Sequence, residues 1–210
     1  GDMLTTLVAM DTKSVSGPDF VEKTTGKRPE PWKNGDHTMT ILKTANGKTL
    51  NIQHNVVTPR PYSRMYQITG TKGFANKYMK SGIVLDTEVI ASEVPDHENL
   101  SSHSFLPEEQ YQALMEKYKH PILKEIGEKA KQVGGHGGMD FVMDYRLIYC
   151  LNHGLPLDID VYDMAEWCCL APLGELSIEN GSAPVEVPDF TRGASNKVKG
   201  YRHAYADKAE

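Results

Sequence analysis

Apolar and polar residues alternate with a period near two through residues 1–90, and the period lengthens towards 3.6 beyond Leu106. Asp2–Met10 sets Leu4, Leu7 and Ala9 against Thr5, Thr6 and Val8, which predicts a first strand. His37–Thr44 and Lys48–Val57 alternate on either side of Ala45-Asn46-Gly47-Lys48. An Asn-Gly pair between alternating runs predicts an antiparallel hairpin with a two-residue turn, both of whose central residues take positive φ. Arg64–Thr69 is expected to add a third strand to that pair. Gly70-Thr71-Lys72-Gly73 then reads as a tight turn, followed by short strands at Phe74–Tyr78 and Ile83–Asp86. Residues 1–90 are therefore expected to form one mostly antiparallel sheet in meander order. Asp11–Asp36, rich in Lys, Pro, Gly and Ser, interrupts it as a long irregular excursion with a helical turn around Asp19–Lys23.

The second half carries helix punctuation. Leu106-Pro107-Glu108-Glu109 puts proline and acids into a first turn, predicting a helix to about Tyr118. Pro121 opens another, about Ile122–Gln132, and Val133–Gly138 is a glycine-rich break around His136. Met139–His153 has a wide apolar face and is stopped by Gly154 and Pro156. Asp160-Val161-Tyr162-Asp163 supplies an N-cap and acidic first turn for a fourth helix to about Asn180-Gly181, kinked by Pro172. Pro184–Pro188 reads as extended, and Thr191–Glu210 as a polar tail ending in a frayed helix. Strands first and helices after define an α+β fold: a mostly antiparallel open sheet with helices packed on one face, residues 1–210 forming a single domain.

Composition narrows the partners. With 23 Lys and Arg against 28 Asp and Glu, the net charge of −5 offers no basic block for nucleic acid or an anionic membrane. No apolar run reaches bilayer length, and no basic-then-apolar leader is present. The chain opens inside a predicted strand and so reads as a piece of a longer polypeptide, which leaves its compartment open. Cys150, Cys168 and Cys169 form no CxxC pattern and read as reduced, partly buried thiols.

Candidate chemistry concentrates in two places. The first is Gln53–Gly73, where Pro59 and Pro61 make Thr58–Tyr62 a stiff crossing that carries Arg60, Tyr62 and Arg64, with His54 just upstream. Guanidiniums and a phenol on a rigid turn suit hydroxyls, carboxylates or phosphates, while a solvated surface turn is the plainer reading. The second is Gly134-Gly135-His136-Gly137-Gly138-Met139-Asp140, where backbone can approach a ligand and a helix start favours negative charge. It is no dinucleotide fingerprint, because Asp140 stands at the third glycine's place and no strand precedes it. Gly47-Lys48-Thr49 is no phosphate loop, since Leu42 stands where the first glycine belongs. The histidines lack metal-ligand spacing, no nucleophile elbow occurs, and no opposed carboxylate pair is recognisable, so no metal and no catalytic residue is assigned.

Four words in this sequence, NGKTLNIQHNVVTPRPYSR, GTKGFANKY, GHGGMDFVMDYRLIYCLNHGLPLDIDVYDMAEW and NGSAPVEVPDFTRG, resemble the C-terminal domain of NAD-dependent glycoside hydrolases. The bacterial α-N-acetylgalactosaminidases are the best-known activity of that family, which sits in the glucose–fructose oxidoreductase-like (Gfo/Idh/MocA) superfamily. The resemblance implies a two-domain enzyme in which an N-terminal Rossmann domain, absent from this chain, holds NAD and this domain closes over the sugar or glycoside. It implies that Tyr62 contacts sugar, that His136 lies near the cofactor or pocket mouth, and that Arg60 and His54 are substrate-side. The implied chemistry is transient oxidation at C3, elimination of the aglycone, water addition and re-reduction, an exception to the two-carboxylate scheme. The alternatives are a sugar dehydrogenase of the same superfamily and a non-catalytic scaffold. The open sheet face is the expected surface for a homo-oligomer, and the isolated chain is expected to be inactive.

Overall fold

A computed structural model describes residues 2–95 and 97–195. The predicted frayed helix at the end of the tail lies outside them. The fold is α+β with an open antiparallel sheet. The described residues gather into two compact units, 2–59 with 130–195, and those from 60 to 129.

In the first unit, β1 (Leu4–Asp11), β2 (Thr38–Thr44), β3 (Thr49–His54) and β7 (Val185–Glu186) form an antiparallel sheet in the order β3-β2-β1-β7. A register shift between Leu4 and Thr6 absorbs one extra residue, a β-bulge that returns Leu4, Leu7 and Ala9 to the same buried face. The strand alternation is therefore broken once, at Thr5, for a packing reason. Against that face lies α7 (Leu170–Glu179), with Leu170, Leu173 and Ile178 closing over Leu7, Ala9, Leu42 and Val187.

The β7 strand is only two residues long, so it cannot pair the whole edge of β1. Helix side chains continue the ladder. Ser177 Oγ, fully buried, accepts from Ala9 N at 2.9 Å and donates to the Ala183 carbonyl at 2.7 Å. At the other end Glu166 Oε1, from α6 (Val161–Cys168), accepts from Leu4 N at 2.7 Å. Buried backbone donors are thereby satisfied where the sheet runs out.

The expected fourth helix is two helices. Asp160 caps α6 by a capping box with Asp163, as its sequence suggests, but α6 ends at Cys168 and α7 begins at Leu170. Pro172 lies in the first turn of α7; its ring would clash with the carbonyl four residues back, on Cys168, where α6 stops. Ahead of them α5 (Met139–His153) ends in a left-handed Gly154. Its buried Arg146 grips Asp158 with Nε at 3.0 Å and Nη2 at 2.8 Å, tying the connector to the helix.

The excursion after β1 holds a full helix, α1 (Ser16–Thr25), longer than the single turn expected. Its start is capped from a distance. The Asp36 carboxylate accepts from the N–H groups of Val15, Ser16 and Gly17 at 3.1, 2.8 and 3.0 Å. Those donors, led by Ser16, hold the Asp36 carboxyl below its ordinary range. The Asn46-Gly47 turn also differs from expectation. Thr44 accepts from Gly47 N and donates its own N–H to Lys48 O, making a three-residue loop in which only Gly47 is left-handed. A type I turn closed by an αL glycine replaces the two-residue form.

The second unit holds β4 (Tyr66–Gly70), β5 (Gly73–Lys77) and β6 (Gly82–Leu85) as a separate three-stranded antiparallel sheet. This corrects the single sheet expected for residues 1–90: Arg64–Thr69 does not extend β3. Pro59 and Pro61 withhold ladder donors and break the run between β3 and β4. Asp86 caps α2 (Thr87–Glu93), a helix the sequence pattern left unread. α3 (Glu108–Lys117) and α4 (Pro121–Val133) fall where their prolines and acids place them. Ile90, Val94, Leu106 and Leu114 make this unit's core.

Candidate functional site

The turn between the two proline positions and β4 leaves Tyr62 71% exposed. The ring nevertheless has a fixed direction. Arg64 Nε donates to the Tyr62 hydroxyl at 2.6 Å. The Tyr78 ring meets Tyr62 edge-on, centroids 5.9 Å apart at 75°, and meets Tyr66 at 6.2 Å and 63°. Such edge contacts suit the opposed charge of ring faces and rims. The bond from Tyr62, then the field of the phenols of Tyr62 and Tyr78, raises the Arg64 guanidinium above its already high range.

Backbone strain accompanies this cluster. Tyr78 has φ +76°, Met79 φ +20° and Met65 φ +45°. Left-handed backbone is costly for large side chains and gathers at functional corners. Asn76 pins the corner, its Nδ2 donating to the carbonyls of Tyr78 at 3.2 Å and Lys80 at 2.6 Å. Its Oδ1 is buried and, among the described residues, has no hydrogen-bond partner.

Of the residues singled out from sequence, Arg60 and Tyr62 fall in the second unit, His54 and His136 in the first. Arg60 is exposed, and His54 stands exposed at the end of β3, paired in register with Thr38. Sequence reasoning missed Tyr66 and Tyr78. The signal was present in the Gly70-Thr71-Lys72-Gly73 turn, which sets Tyr66 opposite Lys77 and so brings Tyr78 beside it.

The glycine-rich turn has its own logic. Gly134, Gly135, His136, Gly137 and Gly138 are all left-handed, φ running 92, 76, 46, 72 and 98°. Glycine takes such angles freely, leaving His136 the strained member. Gly138 also has no room for a side chain: a Cβ there would lie 2.6 Å from the Ala130 carbonyl carbon. His136 is exposed, with Nδ1 2.8 Å from Asp140 Oδ2. The anion-favouring helix start expected here thus already carries the protein's own carboxylate, in the first turn of α5. Alongside it a concave surface of about 610 Å³ is lined by Gly135, Asp140, Phe141, Asp144, Tyr145 and Tyr149, among others.

By fold and geometry, this is an α+β domain bearing an exposed tyrosine–arginine cluster on a proline-braced turn. The family model "Glycosyl hydrolase 109, C-terminal domain" matches residues 1–197. Glycosyl hydrolase family 109 protein 5 of Phocaeicola vulgatus is 64% identical over 208 residues, covering 98% of this chain and 40% of that protein. Glycosyl hydrolase family 109 protein 1 of Bacteroides thetaiotaomicron is 62% identical over 208 residues, 99% of this chain and 44% of its own length. A Porphyromonas gingivalis family 109 protein is 61% identical, with 99% and 44% covered. The chain belongs to glycosyl hydrolase family 109, as its C-terminal domain. It spans about two fifths of the length of these relatives.

Proposed function

We propose that this chain is the substrate-side domain of an NAD-dependent glycosidase, with Tyr62 as its sugar contact. The observation that carries the reading is the Tyr62–Arg64 pair: an exposed phenol whose hydroxyl is oriented by a 2.6 Å guanidinium bond. Among the described residues, the hydrogen-bond partners of Tyr62, Arg64 and Asn76 include no carboxylate. A cluster of phenols and cations supports a cleavage that does not rely on two opposed acids.

NAD belongs, in this reading, to the part of the polypeptide outside this chain. The glycine-rich start of α5 does not fit a pyrophosphate, because Asp140 sets a carboxylate in its first turn. His136, paired through Nδ1 with Asp140, is the residue this reading assigns to the cofactor side. Arg60, in the same unit as Tyr62, adds a donor for the sugar. The roles of this chain's residues are to bind and orient the glycoside, and a phenol serves by donating to or accepting from a hydroxyl.

The test is glycoside release by the full-length protein with no NAD added. Turnover supports a tightly held, recycled cofactor; strict dependence on added NAD(P) with accumulation of oxidised sugar would assign it to the sugar dehydrogenases instead. Calorimetric titration of this chain alone with NAD should give no micromolar binding.

A second reading rests on the sheet. Met10, Met39 and Ile41 are 62, 36 and 53% exposed on the face of β1 and β2 opposite α7. We propose that this open face mediates self-association, which size-exclusion chromatography of the chain and of Ile41→Glu would test. A monomer at every concentration would refute it.

A further inference from the structure

We infer that Tyr78 and Arg64 are positioning residues for Tyr62, and that the strained corner at Tyr78–Met79 exists to hold the Tyr78 ring against it. The inference rests on the reading of Tyr62 as the sugar contact and goes beyond it.

Three independent observations converge on Tyr78. Its backbone is left-handed at φ +76° and the next residue, Met79, also has positive φ, although neither is glycine. A chain indifferent to the side chain would place glycine there. The corner is clamped by both amide hydrogens of Asn76, at the cost of a buried Oδ1 with no partner among the described residues. The ring so placed is only partly exposed and touches both neighbouring tyrosines edge-on.

Tyr62 needs such support. It lies outside β4, on a segment without ladder bonds, and its ring is mostly in solvent. Arg64 holds the hydroxyl end and Tyr78 holds the ring edge, so two contacts on different atoms define one orientation. A group that contacts substrate is useful only within a narrow range of positions, and small misplacements are costly in rate. Lys77 Nζ, 5.6 Å from the Tyr78 ring centroid, adds a cation over the same ring.

The test uses the full-length protein and a double-mutant cycle. Tyr78→Gly relieves the left-handed strain while deleting the ring. It is expected to melt at or above the temperature of Tyr78→Ala, yet to lower kcat/KM about tenfold; Tyr78→Phe, which keeps the ring, should stay within about twofold of wild type. Arg64→Ala should lower kcat/KM by a similar factor and Arg64→Lys should recover part of it, because an ammonium can still donate to the phenol. The decisive readout is additivity. Because Tyr78 acts through Tyr62, Tyr62→Phe combined with Tyr78→Gly should be no worse than Tyr62→Phe alone. If the two losses multiply, or Tyr78→Gly turns over like wild type, the positioning role is refuted while Tyr62 keeps its own. If Tyr62→Phe alone changes nothing, the reading of the site falls, and this inference with it. Should Tyr78→Gly fail to fold, Tyr78→Asn, which also tolerates left-handed backbone and lacks the ring, takes its place in the cycle, and Arg64→Ala is run through the same cycle for its own role.

Discussion

Each of the two compact units of this chain has a buried core and one exposed strand, but they put their polar side chains to different uses. In the first, Leu7, Leu42 and Ser177 are almost wholly excluded from solvent, and the unpaired edge of β1 ends on Glu166 and Ser177. In the second, β4 is exposed along its full length, and Ile68 beside Tyr66 is 74% accessible. The first unit spends its polar side chains on closing a sheet. The second leaves phenols and guanidiniums on a surface and fixes them by strain, proline and side-chain bonds. The difference teaches that order and burial are separable: Tyr62 is exposed and still has one direction, because its neighbours on both sides are constrained.

That contrast can be broken from the side of the core. Leu7→Ala, at a fully buried position, should cost about 2–5 kcal/mol in denaturant unfolding, the largest effect expected from one substitution. Ser177→Ala strands the Ala9 N–H and should cost about 1–3 kcal/mol by the same measurement. Loss of less than a few tenths would mean that β7 or water takes over that donor.

From the side of the surface the outcome should invert. Tyr62→Phe is expected to leave the melting temperature unchanged and to lower kcat/KM of the full-length protein about ten- to a hundredfold. A lowered melting point with intact turnover would instead make Tyr62 a packing residue. The smallest effect is expected at α1. Asp36 is held below the ordinary carboxylate value of 3.8, so its capping contribution is complete above that value and is lost as pH falls through the depressed folded one. Amide exchange of Ser16 and Gly17 should therefore quicken only in acid. In Asp36→Asn, whose amide oxygen can still accept, that acid dependence should vanish.

Much of the chain was legible in its residues because the signals were local. Period, prolines and acidic first turns located α3, α4, α5 and the start of α6, and Gly70–Gly73 set a hairpin register. Tyr62 could be picked out because two prolines bracket its approach. What stayed hidden depends on partners distant in sequence. The cap on α1 comes from Asp36, some 20 residues downstream, so no local pattern announced a full helix. The division into two sheets turned on whether β4 pairs with β3 or only with β5, and alternation is the same in either case. The bulge at Thr5 exists because α7 needs Leu4, Leu7 and Ala9 on one face.

By itself, then, the sequence determined most of the elements and the family, and singled out Tyr62, since each is written in short-range residue chemistry. Only the tertiary structure decided that Tyr62 has company. The Arg64 bond, the edge-on Tyr78 and its left-handed corner arise from the register of β4 on β5 and from the clamp of Asn76. The Gly70–Gly73 turn marks only the pairing of β4 with β5; the contact of Tyr78 with Tyr62, which lies before β4, is made in space.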